Sequence, residues 1–447
     1  MRYLPTTADD RRQMLDVIGA ASIDELLARV PPKARLARPL NVGPALAETD
    51  LIRHLRALAA QNADADAHVC FLGGGAYDHY VPSPINHLIS RGEFFTAYTP
   101  YQPEASQGTL RSIYEYQTMI AELTGMDVAN ASIYDGASSL AEAALMARAA
   151  TGRQEIVLAA AVNPRYRRVV ATYCDGLGVR LREAPAPGGV LDADAARKLV
   201  GARTAALVVQ SPNFYGAIED IAAAAEIAHA AGALLVVVAD PVNLGVLEAP
   251  GRLGADVVVG EGQGLGVPLS YGGPYLGVFA AKQDFVRRMP GRLVGATVDR
   301  DGRRGFVLTL QTREQHIRRD KATSNICTNV ALCALMATIY VATLGKRGLV
   351  RVGELSAAKA HYAADRFREI PGVALRFEAP FFKEFTLRLP KPPDRVAARL
   401  ARVGILAGVP LKTFDRKLGD SLLVAVTEKR TKDEIDRLVE GVRTAVA

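Results

Sequence analysis

Two aspartates stand where a carboxylate can take part in chemistry. In Asp135-Gly136-Ala137-Ser138-Ser139, small and hydroxyl residues precede the amphipathic run Leu140–Ala149. A helix starting there exposes backbone N–H groups and the positive end of its dipole, which suits a phosphate. Ser138 or Ser139 could equally be a plain N-cap. Asp240 closes Leu234–Ala239, the most hydrophobic strand candidate in the chain. Ligands of open α/β sheets sit at strand C-termini, so Asp240 could pair with a protonated ring nitrogen. It could also cap the turn Pro241-Val242-Asn243. Amine chemistry needs a lysine, and lysine is scarce: 12 of the 54 basic residues, with none between Lys33 and Lys198 and none from there to Lys282.

Other motifs exclude more than they suggest. Gly260-Glu-Gly-Gln-Gly-Leu-Gly266 has G-x-G-x-G-x-G spacing and no helix before Pro268, so it reads as a glycine-rich turn, not a dinucleotide fingerprint. No P-loop, H-E-x-x-H or G-x-S-x-G occurs. Cys70, Cys174, Cys327 and Cys333 form no C-x-x-C and have no histidine at zinc spacing. They imply no metal site and are expected to be reduced, buried and cytoplasmic.

Positioning these groups requires alternating elements. Strands are expected at Glu155–Ala161, Val169–Tyr173, Thr204–Gln210, Leu234–Asp240, Asp256–Val259 and Tyr275–Ala281. Helices are expected at Leu110–Thr124, Ser138–Ala150, Ala193–Val200 and Asp220–Ala231. Continuous apolar runs separated by helices predict a mostly parallel, doubly wound sheet covered on both faces. Beyond residue 346 the pattern becomes a small α+β domain: a helix at Glu354–Phe367, strands at Val373–Phe377, Phe385–Leu389 and Leu422–Thr427, and helices at Asp394–Arg402 and Lys432–Thr444. The expected division is a helical and loop-rich interface segment at 1–104, a large α/β domain at 105–345 and the small domain at 346–447.

The 447 residues are 49% hydrophobic with a net charge of +7, which excludes disorder. A pI near 9.2 permits an acidic partner, but the arginines are scattered and lack interleaved aromatics, so no nucleic acid is expected. The apolar run Val330–Leu344 is too short to span a bilayer and reads as a buried helix; no membrane is expected. The opening residues Met1–Asp16 carry Arg and Asp throughout, and no signal peptide is expected.

A phosphate-type turn, an aspartate closing a later strand and a small C-terminal domain together resemble the fold-type-I pyridoxal-phosphate enzymes. Longer motifs narrow the resemblance. Tyr98-Thr-Pro-Tyr101-Gln102-Pro-Glu-Ala-Ser-Gln-Gly-Thr-Leu110 and Tyr116-Gln-Thr-Met119 are similar to the glycine decarboxylase P-protein family of the glycine cleavage system. So are Asn130–Glu142, Thr323-Ser-Asn-Ile-Cys-Thr-Asn329 and Thr427–Arg437. Matches run from about residue 60 to the end. In catalytic chains of this family the strand Gly-Ala-Asp leads into a segment ending in His-Lys, whose lysine carries the cofactor. Here Gly254-Ala-Asp leads into Gly-Glu-Gly-Gln, and Gly264 falls near the lysine position. Glycine can neither form an imine nor move a proton. This pattern resembles the N-terminal, or alpha, chain of the two-subunit form.

The resemblance implies a heterodimer, usually doubled to a heterotetramer, with a second (beta) subunit that holds pyridoxal phosphate. The complex would decarboxylate glycine and pass the aminomethyl group to the lipoyl arm of the H-protein. Active sites of this fold form at subunit interfaces, so Tyr77, His79, Tyr98, Tyr101 and Gln102 are the candidates for reaching substrate or lipoyl arm. Asp135, Gly136, Ser138, Ser139, Asp240 and Asn243 would then line a degenerate cofactor site, and the chain would not act alone. Two other readings remain open: a self-sufficient enzyme using Lys282, and a non-catalytic scaffold.

Overall fold

The computed structural model describes residues 5–36 and 38–447, which divide into two compact units at Ala63/Asp64. In the first unit, α1 (Ala8–Ile18) begins with a capping box between Thr7 and Asp10 and ends at Gly19 in the left-handed region. A second helix, α2 (Glu48–Ala59), is amphipathic, and neither helix buries a single residue. Leu51, Ile52, Leu55 and Leu58 of α2 are exposed.

The second unit carries α3 (Gln107–Thr124), β1 (Val128–Ala129), α4 (Gly136–Thr151), β2 (Glu155–Ala159), α5 (Pro164–Cys174) and β3 (Arg180–Ala184). Next come α6 (Ala193–Leu199), β4 (Thr204–Ser211), α7 (Ile221–Ala230), β5 (Leu234–Ala239), β6 (Val257–Glu261) and β7 (Gly277–Ala281). The seven strands form one sheet in the order β1-β7-β6-β5-β4-β2-β3. Neighbours from β6 to β3 run parallel, while β7 is antiparallel to both its neighbours. Strands β2 and β7 are buried at every position, as expected of a sheet covered on both faces. The doubly wound α/β class expected from the sequence is the one observed.

A hairpin of β8 (Leu293–Val298) and β9 (Arg304–Thr309) precedes the 38-residue helix α8 (Ala331–Arg368). That helix is long and apolar enough to cross a membrane by length and composition. It breaks at Gly345 (φ 60°, ψ −177°), and buried residues on both sides of the break pack into the protein. The C-terminal lobe adds β10 (Ala374–Leu375), β11 (Glu384–Arg388), α9 (Pro393–Ala401), β12 (Val409–Pro410), β13 (Ser421–Ala425) and α10 (Lys432–Val446), with its sheet in the order β10-β11-β13-β12. Its core of Phe367, Phe385, Leu422 and Leu438 is separate from that of the large sheet.

Three expectations differ from the structure. Residues 64–104 belong to the second unit, because Val69–Cys70 pairs in parallel with Ile405–Leu406 and Phe71 is buried in the C-terminal core. The interface segment expected to end at 104 therefore separates as a compact unit only to Ala63. Val169–Tyr173 is helical, within α5: Pro164 occupies its first turn and the Asn163 side chain accepts from the Arg165 N–H, so the β-branched pair at 169–170 was a misleading signal. Among the cysteines, Cys70, Cys174 and Cys333 are buried but Cys327 is exposed.

Candidate functional site

The C-terminal ends of β5 and β6 face the start of α4, as expected where a doubly wound sheet holds a ligand. Asp135 caps α4 by accepting from the Ser138 N–H at 2.7 Å. The cap is thus the aspartate, and Ser139 instead donates its hydroxyl to the Asp135 carbonyl at 2.9 Å. Gly136 presents the first helical N–H, which donates to Glu261 at 3.0 Å. Glu261 ends β6, and its other oxygen accepts from the N–H groups of Gln263 (3.0 Å) and Leu276 (2.9 Å). Burial pushes its carboxyl up to about 8 against the pull of these three donors. Contact at Gly136 is close: a Cβ there would sit 2.6 Å from the Tyr166 hydroxyl.

Asp240 divides its two oxygens. Oδ1 accepts from the Val242 N–H at 3.0 Å, the turn cap that the sequence allowed. Oδ2 lies 2.6 Å from the ammonium of Lys383, which precedes β11 in the C-terminal lobe. Lys383 is only 2% exposed. Its ammonium donates to His79 Nε2 at 2.8 Å and stands 3.9 Å from the centre of the Tyr77 ring, a cation–π distance. Because an ammonium has no acceptor, Nε2 must accept, leaving His79 Nδ1 to donate to Glu428 at 2.6 Å. Burial would raise Glu428, but the His79 bond and the Tyr80 N–H prevail and hold it down to about 2. Tyr77 donates its hydroxyl to Glu384 at 2.9 Å, and Glu384 also accepts from the Gly74 N–H at 2.7 Å. Burial pushes Glu384 up to about 7.

Tyr77 and His79 therefore point into this chain's own pocket. Gln263 secures the tyrosine's segment by accepting from the Tyr77 N–H at 2.8 Å. Asn243 lines the same pocket, with a buried Oδ1 that has no hydrogen-bond partner among the described residues. Gly264 lies beside it, and a Cβ there would stand 2.8 Å from the Val242 side chain and 3.1 Å from the His79 ring. Sequence reasoning missed Lys383, Glu384 and Glu428, all of which come from the C-terminal lobe. The one local signal is a Lys-Glu pair inside the aromatic run Phe381–Phe385. Glu261 and Tyr166 were also missed.

Tyr98, Tyr101 and Gln102 lie elsewhere and face outward. Tyr98 is 82% and Tyr101 51% exposed. Arg292 is buried beneath Tyr101, 5.7 Å from the ring centre, and donates to Thr328 at 2.8 Å. Asn329 in turn donates to the Ala131 carbonyl at 2.9 Å, so the three motif segments 98–102, 130–142 and 323–329 meet on one face. Lys282 lies at the opposite end of the sheet, bonded to Asp256 at 2.6 Å. Five residues of β6 separate Asp256 from the site, about 17 Å of extended chain, so the reading that relies on Lys282 has no geometric support.

Pyridoxal phosphate, the group implied by the resemblance, does not fit this pocket. The carboxylate that would face a ring nitrogen holds Lys383, and the helix N–H that would face a phosphate holds Glu261. Position 264 has no room for a side chain. The remaining cavity is about 30 Å³, space for water, whereas small-molecule pockets run to hundreds of Å³.

Comparison with known proteins places the chain. The family model for the glycine cleavage system P-protein matches residues 1–442. A probable glycine dehydrogenase (decarboxylating) subunit 1 of Moorella thermoacetica is 54% identical over the full length of both chains. A crystal structure of glycine decarboxylase (P-protein) of the glycine cleavage system, in inhibitor-bound form, superposes with a TM-score of 0.92 at 48% identity, covering 100% of each chain. Lactobacillus brevis glutamate decarboxylase shares the fold alone, at 14% identity and a TM-score of 0.69 over 93% of this chain and 95% of that one. The architecture is that of the fold-type-I pyridoxal-phosphate enzymes, and the chain belongs to the glycine cleavage system P-protein family.

Proposed function

We propose that this chain is subunit 1 of a two-subunit glycine dehydrogenase (decarboxylating), acting only in complex with a second subunit that carries the cofactor. The observation that carries this reading is the Lys383 ammonium on Asp240, beside a Gly264 with no room for a side chain. The complex decarboxylates glycine and transfers the aminomethyl group to the lipoyl arm of the H-protein, in the cytoplasm, as a heterodimer or its doubled heterotetramer. Bound pyridoxal phosphate supplies the electron sink for carboxylate loss.

This chain's own residues act from the face where its motif segments meet. Tyr98 and Tyr101 present hydroxyl donors there, and Gln102 an amide, for a glycine carboxylate or the lipoyl path. Arg292 fixes that face from below by bridging Tyr101 and Thr328. Tyr77 and His79, committed to the internal pocket, hold the C-terminal lobe and do not reach a partner. The test is borohydride reduction of the reconstituted complex with cofactor, followed by peptide mapping. The expected pyridoxyl adduct lies on the second chain alone. An adduct on Lys282, Lys383 or any other lysine of this chain would overturn the reading.

A further inference from the structure

Three elements that do not neighbour one another in sequence converge on the pocket. The large sheet brings Asp240, Glu261 and the N-terminus of α4; the segment before α3 brings Tyr77 and His79; the C-terminal lobe brings Lys383 and Glu384. The polar groups at the two strand ends and at the start of α4 are met from within, while the Asn243 Oδ1 stays without a partner among the described residues. Asp240 receives a cation at 2.6 Å, the Gly136 N–H donates to a carboxyl oxygen of Glu261 at 3.0 Å, and the Tyr77 ring is covered by the ammonium at 3.9 Å.

We propose that Lys383 and Glu261 are built-in surrogates for the cofactor's ring cation and phosphate, and that the self-filled pocket latches the C-terminal lobe shut on the large sheet without any ligand. The inference rests on the reading that the cofactor is carried by the other chain. It concerns what this chain does with the vacated space.

Backbone contacts support a permanent closure. A Cβ on Gly216 would fall 1.9 Å from the Glu384 carbonyl oxygen, and one on Gly73 would fall 2.0 Å from the Glu384 carboxylate. Gly216 also has φ 92°, so glycine is required there both for conformation and for the close approach of β11. The Ile218 N–H donates to the Pro380 carbonyl at 2.7 Å, and Ala217 bridges Phe381. The lobe is docked by main chain on one side and by the Lys383 ion pair on the other. A lobe that had to open for a ligand would break these bonds together.

The experiment uses the full chain without its partner, so that its failure is separate from any failure of the adduct mapping. Lys383→Met and Asp240→Asn are each expected to lower Tm by about 3–5 °C, since each leaves a buried charge unpaired. The double variant removes both charges and is expected to lose clearly less than the sum of the two. Lys383→Ala, which leaves a hole beside Asp240 and Tyr77, is expected to regain Tm saturably with ethylammonium, and not with tetramethylammonium at equal ionic strength. Wild-type chain titrated with pyridoxal phosphate should show no saturable absorbance change. Strictly additive losses, absence of rescue by ethylammonium, or saturable cofactor binding by the wild type would each overturn the proposal. Asp240→Asn conserves volume, so the cycle stays readable if the lysine variants fold poorly.

Discussion

An ion pair of the same length occurs at both ends of the central sheet, with different consequences. At one end Lys383 meets Asp240 and at the other Lys282 meets Asp256, both at 2.6 Å. The Lys383 side chain is 2% exposed and that of Lys282 is 39% exposed. Water screens the second pair, and such pairs are worth roughly 0–1 kcal/mol. In the first the ammonium is removed from water, and it stands because each charge has further partners: His79 and the Tyr77 ring for the lysine, the Val242 N–H for the aspartate. A distance alone therefore says little about an ion pair's importance; its surroundings set what is lost when one member is removed.

The largest effect that could break this contrast is at Lys383. Truncating it to alanine should lower unfolding stability by about 3–5 kcal/mol, because the buried Oδ2 of Asp240 loses its cation and the lysine stem leaves a cavity. Urea titration reads this directly, and a loss below 1 kcal/mol would put the two ends on equal terms.

Next is a pH response confined to the buried end. Glu384 is held up at about 7 by burial, above its ordinary 4.5. Between those values the folded chain keeps a proton that the unfolded chain has released, so this contribution to stability is present below pH 4.5 and lost as pH rises through 7. The span is about 3 kcal/mol, and Glu384→Gln should flatten it in thermal melts taken across that range. Glu428, held down at about 2, works in the opposite sense and only below pH 4.5, where acid removes its contribution.

A smaller effect is expected on the outward face. Tyr98→Phe and Tyr101→Phe in the reconstituted complex should each slow glycine–bicarbonate exchange by about tenfold, the cost of one lost hydrogen bond to substrate. Unchanged exchange with intact assembly would favour a purely scaffolding role. The smallest effect is at Lys282, where alanine should cost under about 1 kcal/mol in the same urea titration.

Much of this was legible in the sequence where the signal is local. Buried strands write themselves as Val/Leu/Ala runs, and the strand expected at Leu234–Asp240 lies within one residue of the observed Leu234–Ala239, because a short β-branched run bounded by turn residues favours a buried strand. The turn at Asp135 and the aspartate ending β5 were identifiable for the same reason: both lie at the edge of an element that the sequence marks clearly. What escaped was non-local. Lys383 lies far along the chain from Asp240, and nothing near it announces that a second lobe folds back to deliver it. Reading lysines only in the window after Asp240 found a gap and missed the residue that fills the space. Val169–Tyr173 failed differently: β-branched content suggested a strand, but Asn163-Pro164 had already started a helix. Motif resemblance found the 98–102 and 323–329 segments yet could not show that Arg292 joins them from beneath.

Gly264 bears on the history and engineering of this fold. A lysine placed there would collide with Val242 and His79, and it would still meet a Lys383 seated on Asp240 and a Glu261 seated on the helix N-terminus. Each obstacle was created by a different residue, and removing any one alone leaves a buried group without its partner. On the proposed reading that the partner carries the cofactor, building a site here would take all three changes together, because each made alone gives a less stable chain.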